Sequence, residues 1–155
     1  MEICLDVMQE EDLNEVIKIE REAFSNPWNV KFFKEELRHN SFALYLTAKQ
    51  DGELLGYVGC WFKNHAHEVH IVNLAIKKGK RRQGLGTYLI GEIVKMATSI
   101  NAESVTLEVR VTNKAAIKLY NKLGFEKDGL TPHYYLDNNE DALLMKKELN
   151  RNEEG

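Results

Sequence analysis

Apolar and polar positions along the chain follow two periods, one typical of helices and one typical of strands. In the first third, apolar spacing predicts an amphipathic helix over about 11–24 and a second short helix, with Phe32, Phe33 and Leu37 on one side, after the break at 25–27. Alternating or continuous apolar runs predict four early strands, at 3–8, 42–49, 53–63 and 67–76. Asp51-Gly52 separates two of these strands and is a strong signal for a tight β-hairpin.

The second half of the chain shows the same two periods. An apolar stripe predicts a helix over about 85–100, and a shorter one predicts a helix over 113–123, with a left-handed cap expected at Gly124. Three more strands are predicted, at 104–110, 125–130 and 141–148. In the first of them Val105, Leu107 and Val109 face one way, and Thr106, Glu108 and Arg110 face the other. The element order β-α-α-β-β-β-α-β-α-β-β predicts an α/β fold with a mixed sheet.

Length and composition fit one globular domain. The chain has 155 residues, 43% of them hydrophobic, and we expect a single domain over 1–149 with a frayed tail at 150–155. The net charge of −3 argues against a general nucleic-acid or membrane-surface binder, so we expect neither partner.

The N-terminus shows no secretory signal pattern, and the longest apolar stretch, 54–62, is too short to span a membrane. Cys4 and Cys60 stand alone, without a CxxC pair, and are predicted to be reduced core residues. These features together predict a cytoplasmic protein.

A local run of positive charge interrupts this slightly acidic chain. Five of the six residues in 77–82 are Lys or Arg, and Gly84 and Gly86 follow at the start of a predicted helix. A Walker A loop is excluded because Leu85 stands where lysine is required, and a Rossmann fingerprint is excluded because Leu89 replaces the third glycine. Glycines at a basic helix N-terminus suit a pyrophosphate, whereas the plainer alternatives are a solvated loop or a nucleic-acid patch.

Several motifs together resemble one enzyme family. The loop Arg81-x-x-Gly84-x-Gly86 resembles the pyrophosphate loop of the GNAT N-acetyltransferases, and the segment LEVRVTNKAAIKLYNKLGF, 107–125, resembles their RimI-like branch. Three shorter matches extend the resemblance over nearly the whole chain: Asn26-Pro27-Trp28, Asn73-Leu74-Ala75-Ile76, and Tyr134-Tyr135 followed by Asp141-Ala142 and Met145. The resemblance implies the GNAT fold, a mixed central sheet flanked by helices. It also implies acetyl transfer from acetyl-CoA, without a metal, to the N-terminal amine of a protein, notably a small-subunit ribosomal protein that begins with alanine.

The resemblance also implies roles for individual residues. Glu108 is the general base and Tyr120 the general acid. The residues implied in cofactor binding are Leu74, Ala75, Ile76, Arg81, Arg82, Gln83, Gly84, Leu85, Gly86, Thr87 and Asn113. Trp28 and Tyr134 are the implied substrate contacts, although Trp28 suits a core anchor equally well.

Alternatives remain open for these residues and for the function. Judged only by their places in the predicted elements, Glu108 would be a solvated strand residue and Tyr120 a core aromatic residue. Because both residues lie at matching positions of one family motif, catalytic roles are favoured. Acetylation of a small amine or of lysine is a second hypothesis, and a non-enzymatic acyl-CoA-binding module is a third. His65, His67 and His70 do not suit a metal site, because strand alternation turns His70 away from the other two.

Overall fold

A computed structural model describes residues 2–81 and 84–149 of the chain. The expectations for Arg82, Gln83 and the 150–155 tail lie outside the described residues.

The described residues form seven strands and four α-helices in the predicted order. The strands are β1 (Cys4–Val7), β2 (Ala43–Gln50), β3 (Glu53–Lys63), β4 (Glu68–Ile76), β5 (Ser104–Arg110), β6 (Glu126–Tyr135) and β7 (Glu140–Glu148). The helices are α1 (Leu13–Ala23), which follows a short 3₁₀ turn, α2 (Val30–His39), α3 (Leu85–Ser99) and α4 (Lys114–Lys122). The sheet has the order β1-β2-β3-β4-β5-β7-β6, with β4 and β5 parallel and β1–β2, β2–β3, β5–β7 and β6–β7 antiparallel. The predicted mixed sheet is therefore confirmed.

Backbone contacts divide the chain into two compact units. The first unit is Met1–Trp61 with Val72–Glu92, and the second is Phe62–Ile71 with Ile93–Gly155. Strand β4 and helix α3 each contribute residues to both units.

The first unit has an aromatic and aliphatic core against α1 and α2. Its buried members are Met8, Leu13, Val16, Ile17, Ile19, Phe33, Tyr45, Leu54, Tyr57 and Ala75. The hairpin between β2 and β3 is confirmed: Asp51 (φ 51°) and Gly52 (φ 81°) both have positive φ, as a type I′ turn requires. This turn pairs Gln50 with Glu53, and a register shift between Ala48 and Lys49 offsets the pairing of the rest of the two strands.

The second unit is built around β5, which pairs with β4 on one side and β7 on the other. The predicted apolar face of β5 is buried, and Val105, Leu107 and Val109 are at most 5% exposed. Gly124 has φ 98° after the end of α4, which confirms the left-handed cap.

Two details of the sequence prediction are wrong. Cys4 is exposed rather than a core residue, because β1 lies at the edge of the sheet and pairs only with β2 there, whereas Cys60 is buried; both thiols are free. Phe32 is 37% exposed while Phe33 is fully buried, so the two do not share the core side of α2. No helix in the described part of the chain is long and apolar enough to cross a membrane.

Candidate active site

The carboxylate of Glu108 lies beside a buried histidine in the second unit. The parallel register of β4 and β5 sets His70 directly opposite Thr106, and Glu108 follows on the same face of β5. His70 Nε2 is 3.3 Å from Glu108 Oε1. The side chain of His70 is 8% exposed and that of Glu108 is 17% exposed. The predicted base is therefore largely shielded from water and has a specific partner.

The same histidine continues a chain of polar contacts away from Glu108. His70 Nδ1 is 2.6 Å from Thr106 Oγ1, and the Thr106 hydroxyl donates to Glu68 Oε2, also at 2.6 Å. Glu68 lies two residues before His70 on β4, so the two share a strand face. We call Glu68, Thr106, His70 and Glu108 the β4–β5 polar chain.

The surroundings of Glu108 keep its carboxyl ionised. The hydrogen bond with His70 is the largest influence and lowers the pKa of Glu108, against the opposing effect of burial. Charge on His70, a hydrogen bond from Tyr134 and the charge of Lys63 lower this pKa further. Glu108 is therefore an anion throughout the neutral pH range.

Tyr134 approaches the same carboxylate from β6. Burial raises the pKa of its hydroxyl first, and the charge of and hydrogen bond with Glu108 raise it further. The residue is 46% exposed, so it faces both Glu108 and solvent. Arg110 holds the adjoining β6–β7 turn, pairing with Asp137 Oδ2 at 2.8 Å and lying 4.0 Å from the centre of the Tyr135 ring.

Tyr120 lies half-buried on α4. Its ring packs on Phe125 with centroids 6.1 Å apart, and burial raises the pKa of its phenol. Across residues 2–81 and 84–149, no group hydrogen bonds the Tyr120 hydroxyl. Tyr120 is thus a protonated donor whose hydroxyl is not used by any described residue.

Asn113 caps the helix that carries Tyr120. Its side-chain Oδ1 accepts from the backbone N–H of Ala116 at 3.2 Å, which satisfies one free donor of the first turn of α4. No residue in the described part of the chain bonds its side-chain NH₂, the group that would make the predicted cofactor contact.

The glycine loop lies in the first unit. Gly84 has φ 84° immediately before α3, a conformation that favours glycine. A Cβ built on Gly84 or Gly86 would meet no heavy atom of the described residues within 4 Å, so none of those residues covers either glycine. The first N–H groups of a 15-residue helix beside lysines suit a phosphate-bearing group, and these residues therefore fit the pyrophosphate of acetyl-CoA.

Two basic residues of the loop make contacts within the first unit. Lys77 Nζ pairs with Glu53 Oε2 at 2.6 Å, and Arg81 Nε donates to the Ile76 carbonyl at 3.0 Å. Lys78 is exposed. The side chain of Leu85 is buried, whereas Thr87 is exposed.

Leu74, Ala75 and Ile76 form the end of β4, and Ala75 is 5% exposed. Gly56 on β3 permits this packing, since a Cβ there would lie 2.9 Å from the Ala75 carbonyl oxygen. Just before them, Asn73 donates from Nδ2 to Glu20 Oε1 at 3.0 Å. The end of β4 is thereby fixed to α1.

Glu20 is a buried carboxylate with three donors. Besides Asn73, the Tyr57 hydroxyl donates to Oε1, and the backbone N–H of Trp28 donates to Oε2 at 2.9 Å. The Trp28 ring packs on Phe32, with centroids 4.4 Å apart. Trp28 is therefore an anchor for the first unit, and its contact with substrate stays a prediction.

The contacts that join Glu108 to His70, Thr106 and Glu68, and the buried carboxylate of Glu20, were not predicted from the sequence. Glu20 falls at the apolar helical spacing of Leu13, Val16 and Ile17, which is an available signal for a buried carboxylate. His70 and Glu68 alternate with buried residues on β4, but their partners on β5 lie more than 30 residues away.

The other two histidines do not join His70. His65 lies in a turn with φ 56°, and His67 Nδ1 contacts Glu103 Oε2 at 3.3 Å. No group of three or more His, Cys, Asp or Glu side chains within the described ranges could hold a metal ion.

Comparison with known proteins identifies relatives over almost the full length. Residues 13–125 match the model of the acetyltransferase (GNAT) family. A putative ribosomal protein bS18-alanine N-acetyltransferase of Bacillus subtilis (strain 168) is 40% identical over 92% of this chain and 93% of its own. An N-alpha-acetyltransferase of Sulfurisphaera tokodaii is 38% identical over 89% of this chain and 88% of its own.

Solved structures show the same fold. The ribosomal-protein-S18-alanine N-acetyltransferase of Escherichia coli has a TM-score of 0.85 and 28% identity, covering 95% of this chain and 94% of its own. Arabidopsis thaliana NAA60 in complex with acetyl-CoA has a TM-score of 0.82 and 23% identity, covering 96% and 99%.

Proposed function

The chain belongs to the GNAT family of acetyltransferases, which use acetyl-CoA, and on that premise we propose that it acetylates the α-amine at the N-terminus of a protein. The observation that carries the proposal is the carboxylate of Glu108, which is 17% exposed and lies 3.3 Å from His70 Nε2, with its pKa lowered first by that contact. The names of the relatives suggest the substrate, a small-subunit ribosomal protein that begins with alanine.

An α-amine suits this carboxylate better than a lysine does. An amine must lose a proton before it attacks, and the ordinary pKa is about 7.8 for an α-amine and about 10.4 for lysine. Deprotonation at pH 7 therefore costs about 1 kcal/mol for the α-amine and about 4.6 kcal/mol for lysine. Because Glu108 has a lowered pKa and is a weak base, the smaller cost favours the N-terminal substrate.

Glu108 and Tyr120 have complementary roles in this proposal. Glu108 accepts the proton that the attacking amine releases. Acetyl-CoA supplies the acetyl group as a thioester. Tyr120 donates a hydrogen bond to the departing sulfur, and complete proton transfer is disfavoured by about 2 kcal/mol from the ordinary pKa values of phenol and thiol. Burial of Tyr120 raises that cost further.

The remaining site residues hold the two substrates. We assign the acetyl-pantetheine arm to the backbone of Leu74, Ala75 and Ile76. The pyrophosphate is assigned to the loop residues Arg81, Arg82, Gln83, Gly84, Leu85, Gly86 and Thr87, and a further cofactor contact to Asn113. Trp28 and Tyr134 are assigned to the peptide substrate; the 46% exposure of Tyr134 and its electrostatic interaction with Glu108 support its role.

Release of coenzyme A from two matched peptides tests the proposal. One peptide has a free N-terminal alanine and no lysine, and the other has a blocked N-terminus and one internal lysine. Turnover on the first peptide alone, lowered by about 10²-fold or more in Glu108→Gln, is the expected result. Turnover on the lysine peptide alone would refute N-terminal specificity, and turnover only on a polyamine such as spermidine would indicate a small-molecule acetyltransferase.

A further inference from the structure

Strand β6 contains a bulge between Thr131 and Tyr135. Thr131 pairs with Ala142 on β7, and Tyr135 pairs with Glu140. Four residue steps along β6 therefore oppose two steps along β7, so that two additional residues lie in β6 at this point. Pro132 falls within this bulge, where its lack of a backbone N–H costs no ladder hydrogen bond.

Regular strand alternation would place Tyr134 and Tyr135 on opposite faces of the sheet. Residues directly opposite one another in an antiparallel pair share a face, so Tyr135 lies on the face of Glu140. That face also carries Arg110, whose Nη1 is 3.4 Å from Glu140 Oε1 and whose guanidinium carbon lies 4.0 Å from the centre of the Tyr135 ring. Without the bulge, Tyr134 would face the other side.

The ring of Tyr134 lies instead on the same face as that of Tyr135. The two ring centroids are 5.0 Å apart, with the ring planes at 84°. Tyr134 also interacts with the carboxylate of Glu108, which lies two residues before Arg110 on the same face of β5. Two successive side chains therefore point toward one face, and the bulge is what permits this arrangement.

The left-handed residue of the bulge is held by two polar contacts. His133 has φ 53°, a conformation that residues other than glycine adopt at an energetic cost. Its backbone N–H donates to Asp141 Oδ1 at 2.9 Å, and its ring Nδ1 lies 3.3 Å from the Asn139 carbonyl oxygen. The Asp141 contact acts directly on the backbone of the residue that precedes Tyr134. All of these residues belong to the second unit.

We infer that Asp141 is a positioning residue: by accepting the backbone N–H of His133, it holds the bulge of β6 in the conformation that turns Tyr134 toward Glu108. The inference rests on the proposed function for its kinetic consequence, since Tyr134 is assigned there to the peptide substrate. The placement of Tyr134 stands on geometry and can be tested without catalysis.

NMR of the full-length protein tests the placement directly. In the wild type, we expect protection of the His133 amide from hydrogen exchange and a nuclear Overhauser effect between the Tyr134 and Tyr135 rings. Asp141→Ala removes the acceptor and should abolish both signals. Asp141→Asn removes the same charge but keeps an acceptor oxygen, so it should retain them. A wild-type protein that lacks either signal, or an Asp141→Ala variant that keeps both, would overturn the inference.

The KM values for the two substrates test the kinetic consequence. We expect Asp141→Ala to raise the KM for the peptide with a free N-terminal alanine about tenfold, because Tyr134 is displaced from its place beside Glu108. The KM for acetyl-CoA should stay unchanged. Asp141→Asn should keep the wild-type value for both substrates.

Asp128→Ala is the matched control, because it removes the same charge from an exposed position at the other register shift of β6, between Lys127 and Gly129. It should change neither KM. A wild-type peptide KM in Asp141→Ala would refute the positioning role, and so would an equal rise in Asp141→Asn or Asp128→Ala.

Two further outcomes are distinguishable from these. If Asp141→Ala does not fold, the wild-type NMR signals and the peptide KM of Asp141→Asn still decide against the inference when either departs from expectation. A wild-type protein with both NMR signals and no activity on either peptide would refute the proposed function and leave the placement of Tyr134 intact.

Discussion

At the scale of single residues, Glu108 combines low exposure with retained charge. A carboxylate taken from water ordinarily gains a proton more readily, but the hydrogen bond with His70 reverses this effect. The lowered pKa means that the carboxylate contributes folding stability above the ordinary glutamate value and loses it as pH falls through the lowered value. Over neutral pH the base is already ionised and ready to accept a proton.

We expect Glu108→Gln to lower turnover by about 10²-fold or more, because the amide cannot accept the amine's proton. Turnover is measured by coenzyme A release at saturating acetyl-CoA, and a thermal melt establishes that the variant is folded. Turnover within a few-fold of wild type would show that Glu108 is not the base.

Tyr120→Phe is expected to reduce turnover by a similar factor of about 10². Because no described group bonds the hydroxyl and the ring still packs on Phe125, thermal stability should stay unchanged. Calorimetry beside the kinetic assay separates the two effects. Loss of stability with normal turnover would make Tyr120 a core aromatic only.

At the scale of elements, helix α3 contains two glycines that can be substituted separately. Comparing the two substitutions distinguishes an effect on ligand binding from an effect on helix stability. Gly86 and Gly91 both lie in α3, and a Cβ on either meets no heavy atom of residues 2–81 and 84–149 within 4 Å. Gly86 lies in the predicted pyrophosphate loop, whereas Gly91 is exposed one and a half turns further on.

We expect Gly86→Ala to raise the KM for acetyl-CoA about tenfold, because its methyl group would occupy the space of the pyrophosphate. Gly91→Ala should leave that KM unchanged and stabilise the helix by about 0.5–1 kcal/mol. Steady-state kinetics and urea unfolding of both variants provide the comparison. Equal KM values would remove Gly86 from the cofactor site.

The elements themselves were largely predictable, and the contacts between them were not. Periodicity located seven strands and four helices in the right order, because each signal lies within one element, but β6 continues to Tyr135, five residues past its predicted end at 130. Glu108 and Tyr120 were identified through a motif confined to 107–125. His70 was set aside with the other histidines, because its partnership with Thr106 depends on the register of two parallel strands.

At the scale of the whole molecule, folding must bury charge as well as apolar surface. Glu20 is 2% exposed, and its carboxylate ties α1 to β3 and β4 through Tyr57 and Asn73. A buried carboxylate is tolerated because three donors replace its water. Removing it leaves those donors unsatisfied inside the fold.

Glu20→Ala is therefore expected to lower the free energy of unfolding by about 3 kcal/mol, measured by urea denaturation. Glu22→Ala, two residues further along α1 and exposed, should change it by less than about 0.5 kcal/mol. Comparable losses in the two variants would mean that the Glu20 contacts add little to stability.

The two cysteines of the chain differ sharply in reactivity toward labelling reagents. Thiols react as thiolates, and burial raises the pKa of Cys60 to about 12, whereas Cys4 is exposed on the edge strand β1. A maleimide dye added to the native protein at neutral pH should therefore attach at Cys4 alone. The wild-type protein can thus be labelled with one fluorescent dye at a single site, without any engineered substitution. Unfolding in urea should expose the second thiol to the reagent.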